Sequence, residues 1–307
     1  MDAAVPDART TQPAPFTQVT LFGYVPTEWI CALFVALFST TTIVHIGQAI
    51  YYKIWWLLYT AVIAGIFEIF GWSGRLWASL TPDAPNFNPY LMQITTTIIA
   101  PTPLVAANFL ILGLIIKELG TRFSRLSAVW YATLFISCDL IALVVQAVGG
   151  AMASQAVRSG RSPEQGGHIM LGGIVFQMAA IVAYVLLAGE FLVRYTRDSP
   201  VGKIYYSPNE RQEQRTVTSP RMKLMIVGMG LMTVFIFIRS IYRTIELVNG
   251  FSGTIIRTEV LFNVLDGAMI TLAMFTLNVF HPGTLLFKRG LATTADLEFK
   301  EVKAADA

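Results

Sequence analysis

MKLMIVGMGLMTVFIFIRSIYRTIELV, residues 222–248, decides the fold. From Leu224 to Ile238 it carries no charge, and only then come Arg239, Arg243 and Glu246. A helix of this length, at 1.5 Å per residue, exceeds the ~30 Å hydrocarbon thickness of a bilayer. Working outward from it, six more apolar runs of spanning length are found: Thr27–Ile50, Trp55–Leu80, Pro89–Ile116, Ser127–Met152, Gly167–Val193 and Thr258–Phe280. None alternates apolar and polar residues as a membrane barrel strand would. The expected fold class is therefore an all-α integral membrane protein, a bundle of seven transmembrane helices. Composition agrees: of 307 residues 54% are hydrophobic and 13% charged. A soluble domain has about twice that charge, which excludes a soluble enzyme.

Basic residues give the orientation. On the side of the amino terminus the loops hold Arg9, Arg158, Arg161 and Arg257, which is four. The opposite side holds fifteen: Lys53, Lys117, Arg122 and Arg125, seven from Arg194 to Lys223, and Lys288, Arg289, Lys300 and Lys303. Positive charge stays cytosolic, so the amino terminus is expected outside and the carboxyl terminus in the cytosol. Residues 1–26 form an extracellular tail without the charged start of a cleaved leader. Residues 27–281 form the membrane domain, with a cytosolic loop at 194–221, and residues 282–307 a cytosolic tail. The loop reads as a solvated basic segment beside lipid headgroups, so the net charge of +3 implies no nucleic-acid partner.

Three basic residues lie inside spans: Arg75, Arg239 and Arg243. Glu68, Asp139, Glu246, Glu259 and Asp266 join them. An ionised group at the bilayer centre costs about 2.5–3.5 kcal/mol on insertion scales, so these side chains must pair or line a wet cavity. Glu68 and Arg75, seven apart, share a helix face, as do Glu259 and Asp266. Arg239, Arg243 and Glu246 follow i, i+4, i+7. Glu246 can reach Arg243, whereas the two arginines repel and require carboxylates from other helices; Glu259, Asp266 and Glu68 are the natural suppliers. An ion-pair network holding the second, sixth and seventh spans in register is one reading, and a substrate cavity lined by the same residues is the other. Depth along the spans places Arg239, Arg243 and Glu246 in the outer half, Glu259 at the rim and Asp266 nearer the middle. Glu68 and Asp139 fall near the midplane, with Arg75, Gln93 and Gln146 outward of it. This describes a vestibule open outward or sideways. Three positive against five negative groups leave an acidic excess suited to an amphiphile with an ammonium head.

Other features carry less. Cys31 and Cys138 fall in apolar runs and read as buried thiols. His45 and His281 sit at one depth, but His168 lies at the other face, short of the three or four ligands of zinc; helix-end hydrogen bonding is the better reading, with Gln48 beside His45. Pro101 and Pro103 break the third span and free backbone carbonyls. Gly149-Gly150 and Gly172-Gly173 permit close helix packing. Tyr24, Trp29, Trp55 and Trp56 read as interface anchors. No nucleotide-binding loop, no duplicated half and no serine nucleophile motif occurs, so neither a cofactor nor a metal is expected and no enzyme activity is indicated.

In this order and spacing the residues resemble the fungal RTA-like lipid-translocating exporter family. The resemblance runs from Tyr24-x-Pro26 to His281-Pro282-Gly283. It includes His45-x-x-Gln48, Glu68-x-x-Gly71 with Arg75, Gln93, Ala100-Pro101, Ala106-Ala107, Asp139, Gln146-x-x-Gly149-Gly150 and Gly173-x-x-x-Gln177. Its most specific piece is Arg239-Ser-Ile-Tyr242-Arg243-x-x-Glu246, followed by Gly250, Gly253, Glu259 and Asp266. Trp72 stands for an expected Tyr and Leu114 for Arg. The resemblance implies a seven-span protein of the plasma membrane, or of an internal one, linked to movement of sphingoid bases or related amphiphiles towards the outer leaflet. It also implies resistance to toxic lipids and drugs, and adds Gln177 to the candidate site.

Three function classes follow: a translocator of amphiphiles whose partners are membrane lipids, a seven-span sensor or regulator of lipid asymmetry without transport of its own, and an intramembrane hydrolase, which lacks its ligands.

Overall fold

The computed structural model describes residues 22–83, 87–201, 219–250 and 253–287. Most of the expected tails, the centre of the 194–221 loop and seven basic residues there and in the tail from residue 282, as well as Arg9, lie outside the described residues. All regular structure among the described residues is helical. In chain order it comprises α1 (Glu28–Tyr51), a π-helical turn at Leu58–Val62 leading into α2 (Ile63–Leu80), α3 (Asn88–Ile99), α4 (Pro101–Leu119), α5 (Ala128–Arg158), α6 (Glu164–Thr196) and α7 (Pro220–Val248). A last stretch comprises α8 (Glu259–Phe262), a π segment at Asn263–Ala268 and α9 (Met269–Val279), followed by a further π turn at Gly283–Phe287.

Among the described residues six helical stretches are long and apolar enough to cross a membrane: 28–51, 88–119, 128–158, 164–196, 220–248 and 259–286. They coincide with six of the expected spans. The remaining one, expected at 55–80, is helical from Leu58 to Leu80 but falls outside the six. Its π start leaves 18 residues of regular α-helix, and these include Glu68 and Arg75. Helix ends run beyond the apolar runs, α5 to Arg158 and α6 to Thr196, because polar residues extend a helix once an apolar stretch has nucleated it.

α5 packs most extensively on α6, α2 on α1 and α3, and α7 on α9. The α5–α6 contact explains part of the glycine pattern. A Cβ on Gly149 would lie 2.7 Å from the Gly166 carbonyl oxygen, and one on Gly173 would lie 2.9 Å from that of Ala142. Gly150 and Gly172 correct the expectation: a Cβ at Gly150 meets only the Met170 sulfur, at 3.4 Å, and one at Gly172 meets nothing within 4 Å. Only one glycine of each pair sits in the interface, since neighbours on a helix point about 100° apart. The core is aliphatic and aromatic. Trp72 stacks on Phe34 at 4.1 Å, and Phe109 meets Tyr184 edge-on at 4.8 Å. Trp29 and Trp55 are exposed, as interface anchors would be.

Candidate functional site

The break in the third span builds the first contact. Pro101 has no N–H, so the carbonyl of Thr97, four residues earlier, loses its helical donor. Arg239 takes it, donating from Nη2 to Thr97 O at 2.7 Å. The same guanidinium pairs with Asp266, Nε to Oδ1 2.8 Å. Asp266 lies off the N–H axis and accepts no well-aligned hydrogen bond, so this is a charge contact. Asp266 sits in the π segment 263–268, whose wider turn re-aims the side chains that follow. One arginine thus ties α7 to α3 and to the last helical stretch.

The other two arginines are each matched in turn. Arg243 Nη1 donates to Glu246 Oε2 at 2.6 Å, and Tyr242 donates its hydroxyl to Glu246 Oε1 at 3.2 Å. Arg75 is 1% exposed and stands over Phe262 at 4.4 Å, with Phe22, Tyr24 and Trp72 around it. It donates to the Tyr24 hydroxyl at 2.9 Å and lies 3.8 Å from Glu259 Oε1. Burial holds the Tyr24 phenol above its ordinary value, so it stays protonated. Glu259 also accepts from the Thr27 N–H at 2.7 Å and its hydroxyl at 2.8 Å, which joins the start of α1 to the start of α8.

Three arginines matched by Glu259, Asp266 and Glu246 leave two carboxylates. Glu68 is 1% exposed, faces Asp266, Arg239 and Arg243, and has the Trp72 indole beside it. Asp139, also 1% exposed, has Gln177 beside it and no basic group acting on it among the described residues. Neither carboxylate accepts a well-formed hydrogen bond. Gln177 in turn accepts from Gln146 Nε2 at 3.1 Å. Gln93 is buried and donates to the Thr97 hydroxyl at 3.4 Å.

The space is distributed unevenly. Beside Gln146, Gln177, Arg239 and Arg243 there is about 10 Å³, and between Arg75, Gln93, Arg243 and Glu246 about 30 Å³. Each holds no more than a water or two. The vestibule expected around the charges is therefore closed by the ion pairs themselves. A roomier cavity, about 300 Å³, lies between α3 and α5, lined mainly by apolar residues; it shares Ile98 and Gln146 with the space at Arg239 and Arg243, and Tyr90 and Ile94 with the space at Arg75 and Glu246.

A family model described as RTA1 like protein matches residues 61–289. The chain belongs to this RTA1-like family. Among its relatives is the sphingoid long-chain base transporter RSB1 of Saccharomyces cerevisiae, 28% identical over 281 residues, 85% of this chain and 73% of the relative. Protein RTA1 of the same yeast is 25% identical, covering 75% of this chain and 67% of the relative. Its protoporphyrin uptake protein 1 is also 25% identical, covering 70% and 65%. No solved structure matches the chain. Membership and the apolar helices make this a multi-pass integral membrane protein.

Of the candidate residues, Glu68, Arg239, Arg243, Glu246 and Asp266 come together. Arg75 and Glu259 form a second group at the start of α1, where Glu259 serves Arg75 and Thr27 rather than the α7 arginines. Gln146, Gln177 and Asp139 form a third, between α5 and α6. Tyr24, read as an interface anchor, is instead a partner of Arg75. Thr97 was missed, although Pro101 four residues later signals its free carbonyl. Of the histidine pair, His281 Nδ1 accepts from the Gly283 N–H at 3.1 Å, a helix-end contact, whereas neither ring nitrogen of the buried His45 makes a well-formed hydrogen bond; its neighbour Gln48 donates to the Asn278 carbonyl at 2.8 Å.

Proposed function

We propose that the chain moves single-chain amphiphiles with cationic heads, of the sphingoid-base class, towards the outer leaflet of the plasma membrane, without chemical change to them. In this reading seven helices cross the bilayer, with the amino terminus outside and the carboxyl terminus in the cytosol. One observation carries the reading: after three one-to-one ion pairs, Asp139 remains buried with no basic group beside it among the described residues, and Glu68 is a third carboxylate facing the two arginines already paired with Asp266 and Glu246. An unpaired buried carboxylate is costly, and an ammonium head would balance it. The relative named as a sphingoid long-chain base transporter supports the substrate class.

The test is transbilayer movement of a fluorescent sphingoid base in liposomes holding the purified chain. Wild type moves the base, and Asp139→Asn and Glu68→Gln each slow it at least tenfold while a neutral sterol analogue is unaffected. Equal effects on both compounds would remove the ammonium reading. A regulator of lipid asymmetry is the second reading, favoured by the tight packing of the charged cluster. Absence of movement in liposomes from folded protein would select it.

A further inference from the structure

Among the described residues, a cavity far roomier than the spaces at the charges lies away from them. The cavity between α3 and α5 runs along α5 from Gln146 to Val157. Its α5 wall is Ala147, Gly150, Ala151 and Ser154, spaced i, i+3, i+4, i+7, so one helix face has been reduced to small side chains. Opposite stand Tyr90, Ile94 and Ile98 of α3. Ala147 and Ala151 are exposed, so the slot opens sideways to what surrounds the bundle. The twelve residues from Gln146 to Val157 span about 16 Å of helix, so the slot of about 300 Å³ is elongated along α5. Such an elongated, apolar, laterally open slot suits an alkyl chain.

The lower end of the slot is polar. Gln146 and Ile98 line both the slot and the small polar space beside it, which also holds Gln177, Ser240 and both Arg239 and Arg243, each of the two already in an ion pair. Asp139 lies on the same face of α5 as Gln146, two turns and about 10 Å further along, with Gln177 beside it. An apolar slot thus ends in a glutamine bridge, with two paired arginines on one side and, beyond it, a carboxylate that has no basic group beside it among the described residues.

We propose that this slot is the alkyl-chain site of a single-chain amphiphile, whose head lies at the Gln146–Gln177 bridge and faces Asp139. The proposal rests on the amphiphile reading above and assigns the tail a place that reading leaves open. Gly150 is the residue that keeps the slot open. Its neighbour Gly149 is held by helix contact, whereas a side chain at 150 would enter the slot with only the Met170 sulfur near its Cβ.

The experiment uses the full chain in nanodiscs and two photoreactive eighteen-carbon probes, a primary amine and the matching alcohol, with cross-links mapped by mass spectrometry. Wild type is expected to be labelled within residues 90–98 and 147–154. Gly150→Leu should lower that labelling at least tenfold and shift preference to shorter chains. Ser154→Leu serves as the second filling variant, and Gly150→Ala, which should fold in any case, should give an intermediate loss. Unchanged labelling in folded Gly150→Ala and either larger variant, labelling elsewhere, or equal competition by a two-chain phospholipid would each overturn the proposal. Equal labelling by amine and alcohol, both lost in Gly150→Leu, would keep the tail site and remove the cationic-head reading. Thus the two can fail separately.

Discussion

The α7–α9 side of the bundle and its α3–α5 side treat polarity in opposite ways. On the first, Arg239 and Arg243 are closed off by Asp266, Glu246 and the Thr97 carbonyl, and about 10–30 Å³ is left beside them. On the second, a carboxylate without a basic partner lies beyond a slot of about 300 Å³. Matched charge draws helices together and removes volume, whereas unmatched charge beside apolar volume leaves room for something else to supply the counter-charge. The first arrangement is a scaffold and the second has the form of a site.

Paired and unpaired aspartates should therefore respond with opposite sign. Asp266→Ala strands Arg239 and is expected to cost about 3–5 kcal/mol, the usual loss when one partner of a buried pair is removed; a large drop in melting temperature in detergent checks it. Asp139→Asn removes a buried charge that has no partner, so the melting temperature should hold or rise while movement of a cationic base falls. A destabilised Asp139→Asn would erase the contrast. The adjacent glycines sharpen it further. Gly149→Ala places a Cβ 2.7 Å from the Gly166 carbonyl oxygen and should cost about 1–3 kcal/mol by overpacking. Gly150→Ala should leave stability unchanged. Thr27→Ala, which removes the hydroxyl donor to Glu259, should cost about 1 kcal/mol, in the range of one hydrogen bond. At the periphery, Arg125→Ala breaks a contact of 2.8 Å with Glu190 at an exposed position, and the melting temperature should not move.

The helices were legible because an apolar run of twenty or more residues has few other uses, and six stretches stand where the hydropathy put them. Legible too was the pairing of Arg243 with Glu246, three apart on one helix. Partners across helices were not, because which carboxylate meets which arginine depends on helix rotation. Asp266 and Glu259, seven apart on one apparent face, diverge through the π segment between them to serve different arginines. A π turn adds a residue to a turn without any residue type marking it. The slot was hidden for another reason. Small residues at 147, 150, 151 and 154 mark a helix face that can be approached closely, but the same pattern serves packing against a neighbour, as Gly149 and Gly166 do.

The joining of Arg75 to Tyr24 and Glu259 has a consequence for how the chain is made. Arg75 leaves the ribosome about 180 residues before Glu259, which at about 5–20 residues per second is roughly 10–40 s. Over that interval an arginine sits in a stretch destined for the interior with its carboxylate not yet synthesised. The rings of Phe22, Tyr24 and Trp72, which surround the guanidinium in the folded chain, all lie within its first quarter, so every member of the cage but Phe262 is synthesised long before the carboxylate.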